Sequence, residues 1–267
     1  MSGDLLGYAS LTIIALAGVG WLRGMQRVRL PADATGYLVA CGAGALLGSA
    51  ALLAGTGFVA GLAAAFAILG GLAFLALFAA SGQRRGTIAV AVGRPIIDFT
   101  ASDDEGRPFA LASLRGRPVL LKFFRGHWCP YCVAELRRWG ELHAELDAHD
   151  VAIVAVCADT AAAIRKGRVK HGLRATMLPD PDLVLTDRYG LRNPKNFAPK
   201  PGVIIPLPIP TTILVDADGI VCWIDQSTDY MRRSDPDMVR AALHATLGPA
   251  RTETPIAAPP AARAAAG

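Results

Sequence analysis

Two thiols three residues apart carry the clearest chemical signal in this sequence. They lie in the run Arg125-Gly126-His127-Trp128-Cys129-Pro130-Tyr131-Cys132. The apolar stretch Val119 to Phe124 before it reads as a buried strand, and a helix-period pattern follows from about Pro130. The pair therefore sits at the first turn of a helix. Free N–H groups and the helix dipole favour negative charge there. A thiol so placed ionises more easily and becomes a nucleophile. Pro130 suits the first turn, where a missing N–H costs little. Arg125 and His127 are positioned by sequence to add positive charge. Trp128 is expected to pack beside the pair. The alternative chemistry is a zinc knuckle, which requires a second pair of ligands at short spacing. Cys157 and Cys222 are single, and His143, His149, His171 and His244 form no such pair. No metal or other cofactor is expected.

The elements that must hold this pair alternate. Val119–Phe124 is followed by a helix over 130–147, with Leu136, Trp139, Leu142 and Leu146 on one apolar face. Val151–Cys157 is a second buried strand, and Thr160–His171 a weaker helix. Met177-Leu178 reads as a strand end and 181–189 as a short helix. Thr211–Asp216 and Ile220–Ile224 form a hairpin around Asp216-Ala217-Asp218-Gly219. Pro236–Leu247 is the last helix. This order implies an α/β fold, a central sheet with helices on both sides. Pro206, Pro208 and Pro210 precede the hairpin. A cis bond is cheap only before proline, and Ile209–Pro210 is the expected one. Cys157 and Cys222 read as inert core thiols.

Composition adds a second part. Of 267 residues, 52% are hydrophobic and only 18% charged, against about a quarter charged in a typical soluble domain. No charged residue occurs between Ala34 and Gln83, or between Leu5 and Leu22. A bilayer span needs about 20 apolar residues. Three transmembrane helices are expected, at about 5–22, 36–55 and 58–80, with the second turn at Gly55-Thr56-Gly57. Gly44-x-x-x-Gly48 and Gly57-x-x-x-Gly61 suit close helix packing. The spans hold no Lys, His or carboxylate, so an ion path is excluded, and the segment reads as an anchor. Arg23, Arg27 and Arg29 lie after the first span, and Arg84 and Arg85 after the third. Positive residues stay inside. This predicts an inner or plasma membrane protein whose remaining chain is cytoplasmic.

The expected division is 1–86 as membrane anchor, 87–248 as redox domain and 249–267 as a disordered Ala/Pro-rich tail. The net charge of +5 is partly a membrane collar. The basic cluster Arg165, Lys166, Arg168, Lys170 and His171 reads as a solvated helix face, so no nucleic-acid partner is expected.

From about Pro95 to Leu247 the chain resembles the alkyl hydroperoxide reductase/thiol-specific antioxidant group, the peroxiredoxin-like part of the thioredoxin superfamily. The resemblance rests on Phe123-Phe124-Arg125-Gly126, Trp128-Cys129-Pro130-Tyr131-Cys132, Glu135-Leu136, Thr212–Asp216 with Gly219, and Asp229-Tyr230 with Arg232-Arg233. It implies a thioredoxin-like fold behind the membrane helices, a disulfide or peroxide substrate and a thiol reductant. Cys132 matches the peroxidatic cysteine. The Thr expected three residues earlier is Cys129, and the Arg expected before the Thr212–Asp216 strand is Pro210. What remains implies a thioredoxin-type dithiol site. Two role assignments follow. In disulfide exchange Cys129, the more exposed thiol by position, attacks and Cys132 resolves. In peroxide reduction Cys132 is oxidised and Cys129 condenses with it. A metal-handling module or a redox-sensing membrane adapter would use the same pair without rapid turnover.

Overall fold

The computed structural model describes residues 2–27, 31, 33–83, 87–171, 174–197 and 204–248. Arg29, Arg84, Arg85 and the expected disordered tail 249–267 lie outside the described residues.

Three helices come first: α1 (Gly3–Gln26), α2 (Thr35–Ala54) and α3 (Phe58–Ala79). Each is long and apolar enough to cross a bilayer. They begin and end within a few residues of the expected spans, and Gly55, at φ 79°, turns the chain between the second and third. The helices pack against one another through small residues. A Cβ built on Gly71 would stand 2.6 Å from the Cys41 carbonyl oxygen, so α2 and α3 meet backbone to backbone.

The α/β part follows. A short hairpin, β1 (Thr100–Ser102) and β2 (Pro108–Ala110), leads into β3 (Val119–Phe124). After it come α4 (Pro130–Arg138), α5 (His143–Ala148), β4 (Ala152–Cys157), α6 (Ala161–His171), β5 (Thr176–Pro179) and α7 (Val184–Arg188). A second ribbon, β6 (Arg192–Phe197) and β7 (Ile204–Pro208), precedes β8 (Thr211–Val215), β9 (Val221–Gln226) and α8 (Pro236–Leu247). The main sheet has the order β5-β4-β3-β8-β9. Strand β3 is central and fully buried, parallel to β4 and antiparallel to β8.

Alternation along β3 sorts its side chains between two cores. Leu120 and Phe124 join the thiols, Leu136, Trp139, Leu142 and residues of α6 and α8 on one face. Val119, Leu121 and Phe123 join Phe99, Leu185 and Tyr189 on the other. Burying a side chain of this size contributes about 1.5–3 kcal/mol. Lys122 shares the first face, and so points toward α4.

One expectation changes, and one stretch left unassigned by the sequence proves to be a strand. The single helix over 130–147 is broken by a tight 3-10 turn at Trp139–Leu142. Residues three apart eclipse in such a turn, so both Trp139 and Leu142 point inward, and Gly140 weakens any case for a continuous helix. The Pro-rich stretch before the hairpin is a strand, β7, paired antiparallel with β6. Proline is tolerated there because this ribbon has only two strands and its outer edges need no N–H.

Gly71→Leu is expected to push α2 from α3 and lower the melting temperature of the detergent-solubilised chain by several degrees. An unchanged melting curve, followed by circular dichroism, would contradict the close packing.

Candidate active site

Cys129 is the N-cap of α4, Pro130 its first residue, and Cys132 lies in the first turn. Gly126, at φ 155°, turns the chain off β3. A Cβ there would come within 2.6 Å of Asp159 Oδ1 and Trp128 Nε1, so the turn demands glycine. Both sulfurs are buried: Cys129 is 2% exposed and Cys132 0%. Cys129 is, as expected, the more exposed of the two, but it is nearly fully buried as well. The segment Asp229–Ser234 accounts for it, because its Arg233 lies against the pair.

Arg233 is the residue that sequence reasoning did not assign to the site. Its Nη2 stands 3.4 Å from Cys132 Sγ and 3.7 Å from Cys129 Sγ. Its Nη1 donates to the carbonyls of Tyr230 and Arg232. A guanidinium thus reaches the thiols from the far end of β9, although Pro210 occupies the expected position at the start of β8. Only the likeness of Asp229-Tyr230 and Arg232-Arg233 to the family pattern hinted at this.

Arg125 is the second buried cation. Its Nη2 donates to Gln83 Oε1 at 2.8 Å and Asn196 Oδ1 at 3.3 Å, and Nη1 to the Tyr230 carbonyl. Its guanidinium lies 3.5 Å from the centre of the Tyr230 ring, a cation–π geometry. Burial and the neighbouring Arg233 both weaken its hold on its proton.

These charges separate the two thiols. Burial opposes ionisation of Cys132, but the hydrogen bond from Cys129 and the guanidiniums of Arg233 and Arg125 outweigh it. Its thiol is held well below the ordinary range. Cys129 is pushed well above that range by its hydrogen bond to Cys132, by burial and by the adjacent charge. The geometry points the same way, since Arg233 Nη2 lies nearer Cys132 Sγ than Cys129 Sγ. Burial also opposes charge on Arg233, yet the sulfurs and Glu135 keep it protonated.

A buried polar chain runs on from this point. Glu135 Oε1 accepts from Lys122 Nζ at 2.6 Å and from the Ser234 N–H at 3.2 Å. Lys122 Nζ also donates to Thr212 Oγ1, which meets Ser234 Oγ at 2.8 Å. Arg233 Nε lies 3.9 Å from Glu135 Oε2, and among the described residues neither atom has a hydrogen-bond partner. Burial raises the Glu135 carboxyl above its ordinary value, although Lys122 and Arg233 oppose this.

The remaining expected residues are placed as follows. Trp128 packs against the core that holds the thiols. The His127 ring serves Asp159 instead of the pair: Asp159 Oδ2 lies 2.7 Å from the His127 N–H and 3.1 Å from Nδ1. His127, Cys157 and Asp159 bring ligand-type atoms within 4.8 Å of one another. Cys157 is buried, and burial raises its thiol well above the ordinary range. Pro210 lies one residue before the pair Thr211–Phe123 in the sheet. The Ile209–Pro210 bond is trans, which corrects the expected cis bond. The chain runs extended there: the Ile209 N–H donates to Leu191 and the Pro210 carbonyl accepts from Ser227, continuing the ladders on either side. In the basic cluster on α6, Arg165 and Arg168 are tied to Asp104.

A thiolate held by cations stabilises the reduced pair. Arg233→Gln is therefore expected to shift the reduction potential of the pair to more negative values, by about 30 mV for each tenfold change in the equilibrium. Equilibration with dithiothreitol mixtures measures it; an unchanged or more positive potential would contradict the assignment.

Residues 92–224 match the AhpC/TSA family. A thiol-disulfide oxidoreductase ResA of Geobacillus thermodenitrificans is 32% identical over 134 residues, covering 50% of this chain and 68% of that protein. A putative peroxiredoxin bcp of Coxiella burnetii is 28% identical over 134 residues, covering 50% of this chain and 87% of that protein. The crystal structure of peroxidoxin BcpB from Mycobacterium tuberculosis superposes with a TM-score of 0.50 at 22% identity, over 59% of this chain and 98% of that one. That likeness shows the thioredoxin-like fold. With its three apolar helices in front of this sheet and its thiol pair, the chain belongs to the AhpC/TSA family and is an oxidoreductase.

Proposed function

We propose that the chain is a membrane-anchored peroxiredoxin-like enzyme in which Cys132 attacks peroxide and Cys129 resolves the product. Residues 1–86 anchor it and 87–248 form the redox domain. The contact that carries the reading is Arg233 Nη2 to Cys132 Sγ at 3.4 Å. It favours the thiolate on Cys132 over Cys129. Burial of both sulfurs supports peroxide over a bulky disulfide substrate, since a slender –OOH group needs less room than two chains joined through sulfur.

In the first step the Cys132 thiolate attacks the terminal peroxide oxygen. An S–O bond forms, the O–O bond breaks, and the leaving alkoxide takes a proton to become an alcohol. Arg233 and Arg125 favour negative charge as it moves from sulfur to oxygen. Cys129 then attacks the Cys132 sulfenic acid. A disulfide forms and water leaves. A thiol reductant restores both thiols by exchange. The deprotonated fraction of Cys132 sets the first rate, so activity is retained above its lowered pKa and is lost as pH falls through it.

The basic residues Arg23 and Arg27 lie at the end of α1 nearest the α/β part, where Arg137 Nη1 donates to the Arg27 carbonyl. The positive-inside rule supports a cytoplasmic site.

The test uses the reduced full-length chain in detergent, treated with hydrogen peroxide and a sulfenic-acid trap. Cys129→Ser is expected to accumulate trapped sulfenate on Cys132, and Cys132→Ser to lose at least a hundredfold in peroxide consumption. Sulfenate on Cys129 with undiminished rate in Cys132→Ser would reverse the roles.

A further inference from the structure

A cleft of about 470 Å³ separates the ends of the membrane-spanning helices from the thiols. That volume is typical of a small-ligand site. Trp21 of α1 and Phe78 of α3 form its apolar wall; Tyr131, Met231, Arg232 and Arg233 face them from the α/β part. Two of these lie at the reacting pair. Tyr131 stands between the cysteines in sequence, its ring centre 6.3 Å from that of Trp21. Arg233 touches both sulfurs. Trp21 also lines a second cavity, of about 140 Å³, inside the bundle beside Ile14, Tyr37, Cys41 and Phe74. Trp21 is thus common to the cavity within the helices and the cleft beside the thiol site.

The charges of the cleft restrict what enters. Against Arg232 and Arg233 stand Asp33, Asp229 and Asp235. Each carboxylate is held locally. Asp33 accepts from Thr35, Asp229 from Ser81 and the Met231 N–H, and Asp235 from the Met238 N–H. Three fixed negative charges against two positive ones disfavour an anion. A neutral –OOH on an apolar chain meets no such opposition.

We propose that this cleft is an acyl-chain site, which takes the oxidised chain of a bilayer phospholipid and presents its hydroperoxide to Cys132. The inference rests on the peroxide reading of the thiol pair and adds to it the substrate and its route. The reaction balances as for any hydroperoxide: the Cys132 thiolate becomes a sulfenic acid, the lipid hydroperoxide becomes a lipid alcohol, and Cys129 closes the disulfide with loss of water. The chain carries its polar group to Arg233 while its apolar length lies along Trp21 and Phe78.

The experiment uses the full-length reduced chain in phosphatidylcholine nanodiscs. Three oxidants are compared at equal concentration: phosphatidylcholine hydroperoxide in the disc, free linoleic acid hydroperoxide and hydrogen peroxide. Disulfide formation between Cys129 and Cys132 is followed by mass spectrometry. The phospholipid hydroperoxide is expected to react at least tenfold faster than either of the others. Ala34→Trp, which adds bulk to the cleft, is expected to remove that advantage and leave the hydrogen peroxide rate unchanged. In parallel, phosphatidylcholine with a photoactivatable acyl chain is expected to label Tyr131 or Met231 in the wild-type chain and neither in Ala34→Trp. Labelling confined to the outer faces of the helices would overturn the site whether or not the variant folds. So would equal rates for the lipid and hydrogen peroxide. If the free fatty acid hydroperoxide is the fastest, the site takes a soluble lipid and the bilayer source is overturned. A pair that no peroxide oxidises defeats the underlying peroxide reading as well, and is recognised by its continued reaction with oxidised dithiothreitol.

Discussion

Arg233 is buried to 4% exposure on the first core of the sheet. Removing a guanidinium from water costs several kcal/mol unless negative charge lies beside it. The negative charge available is the Cys132 thiolate, then Glu135, whose Oε1 already serves Lys122 and whose Oε2 stands 3.9 Å from Arg233 Nε. Arg125 adds a further buried cation a short way off. Counted together, the three cations outnumber Glu135, and the site is balanced best when Cys132 is ionised. The reactivity of the thiol is therefore part of the electrostatic account of the fold. Forming the disulfide removes that charge and leaves Arg233 facing Glu135 across 3.9 Å.

The same cations tie the three apolar helices to the chemistry. Chain that leaves α3 places Ser81 Oγ on the Asp229 carboxylate and Gln83 on both the Asp229 carbonyl and Arg125. A bridge between Gly82 and Asp229 completes the junction. Asp229 begins the segment that carries Tyr230 and Arg233 over the thiols. The end of the bundle thus positions both guanidiniums, one directly and one through a turn.

What could be read in the sequence was local. The helix-start thiol pair, the two uncharged stretches and the buried strands each declare themselves in a continuous run of sequence. The last helix was legible with its bounds, Pro236–Leu247, and in the structure Asp235 caps it by accepting from the Met238 N–H. The parts that were misread or not read at all depend on distant partners. Ile204–Pro208 is a strand only because Arg192–Phe197 pairs with it. The burial of Cys129 depends on Arg233, about a hundred residues further along the chain. His127, adjacent to the pair in sequence, is turned away by Asp159. The Ile209–Pro210 bond is trans, with backbone hydrogen bonds to distant residues on both sides of it. No spacing rule reports such contacts.

The account is tested most directly by titrating the thiolate itself. Absorbance at 240 nm of the reduced full-length chain, followed from acid to alkaline pH against a Cys132→Ser control, counts thiolates as they form. One thiolate that forms well below the ordinary thiol range, and is missing from the control, is the predicted result. A first thiolate that appears only in the ordinary range, or one that persists in Cys132→Ser, would contradict the claim that the buried guanidiniums hold a charge on Cys132.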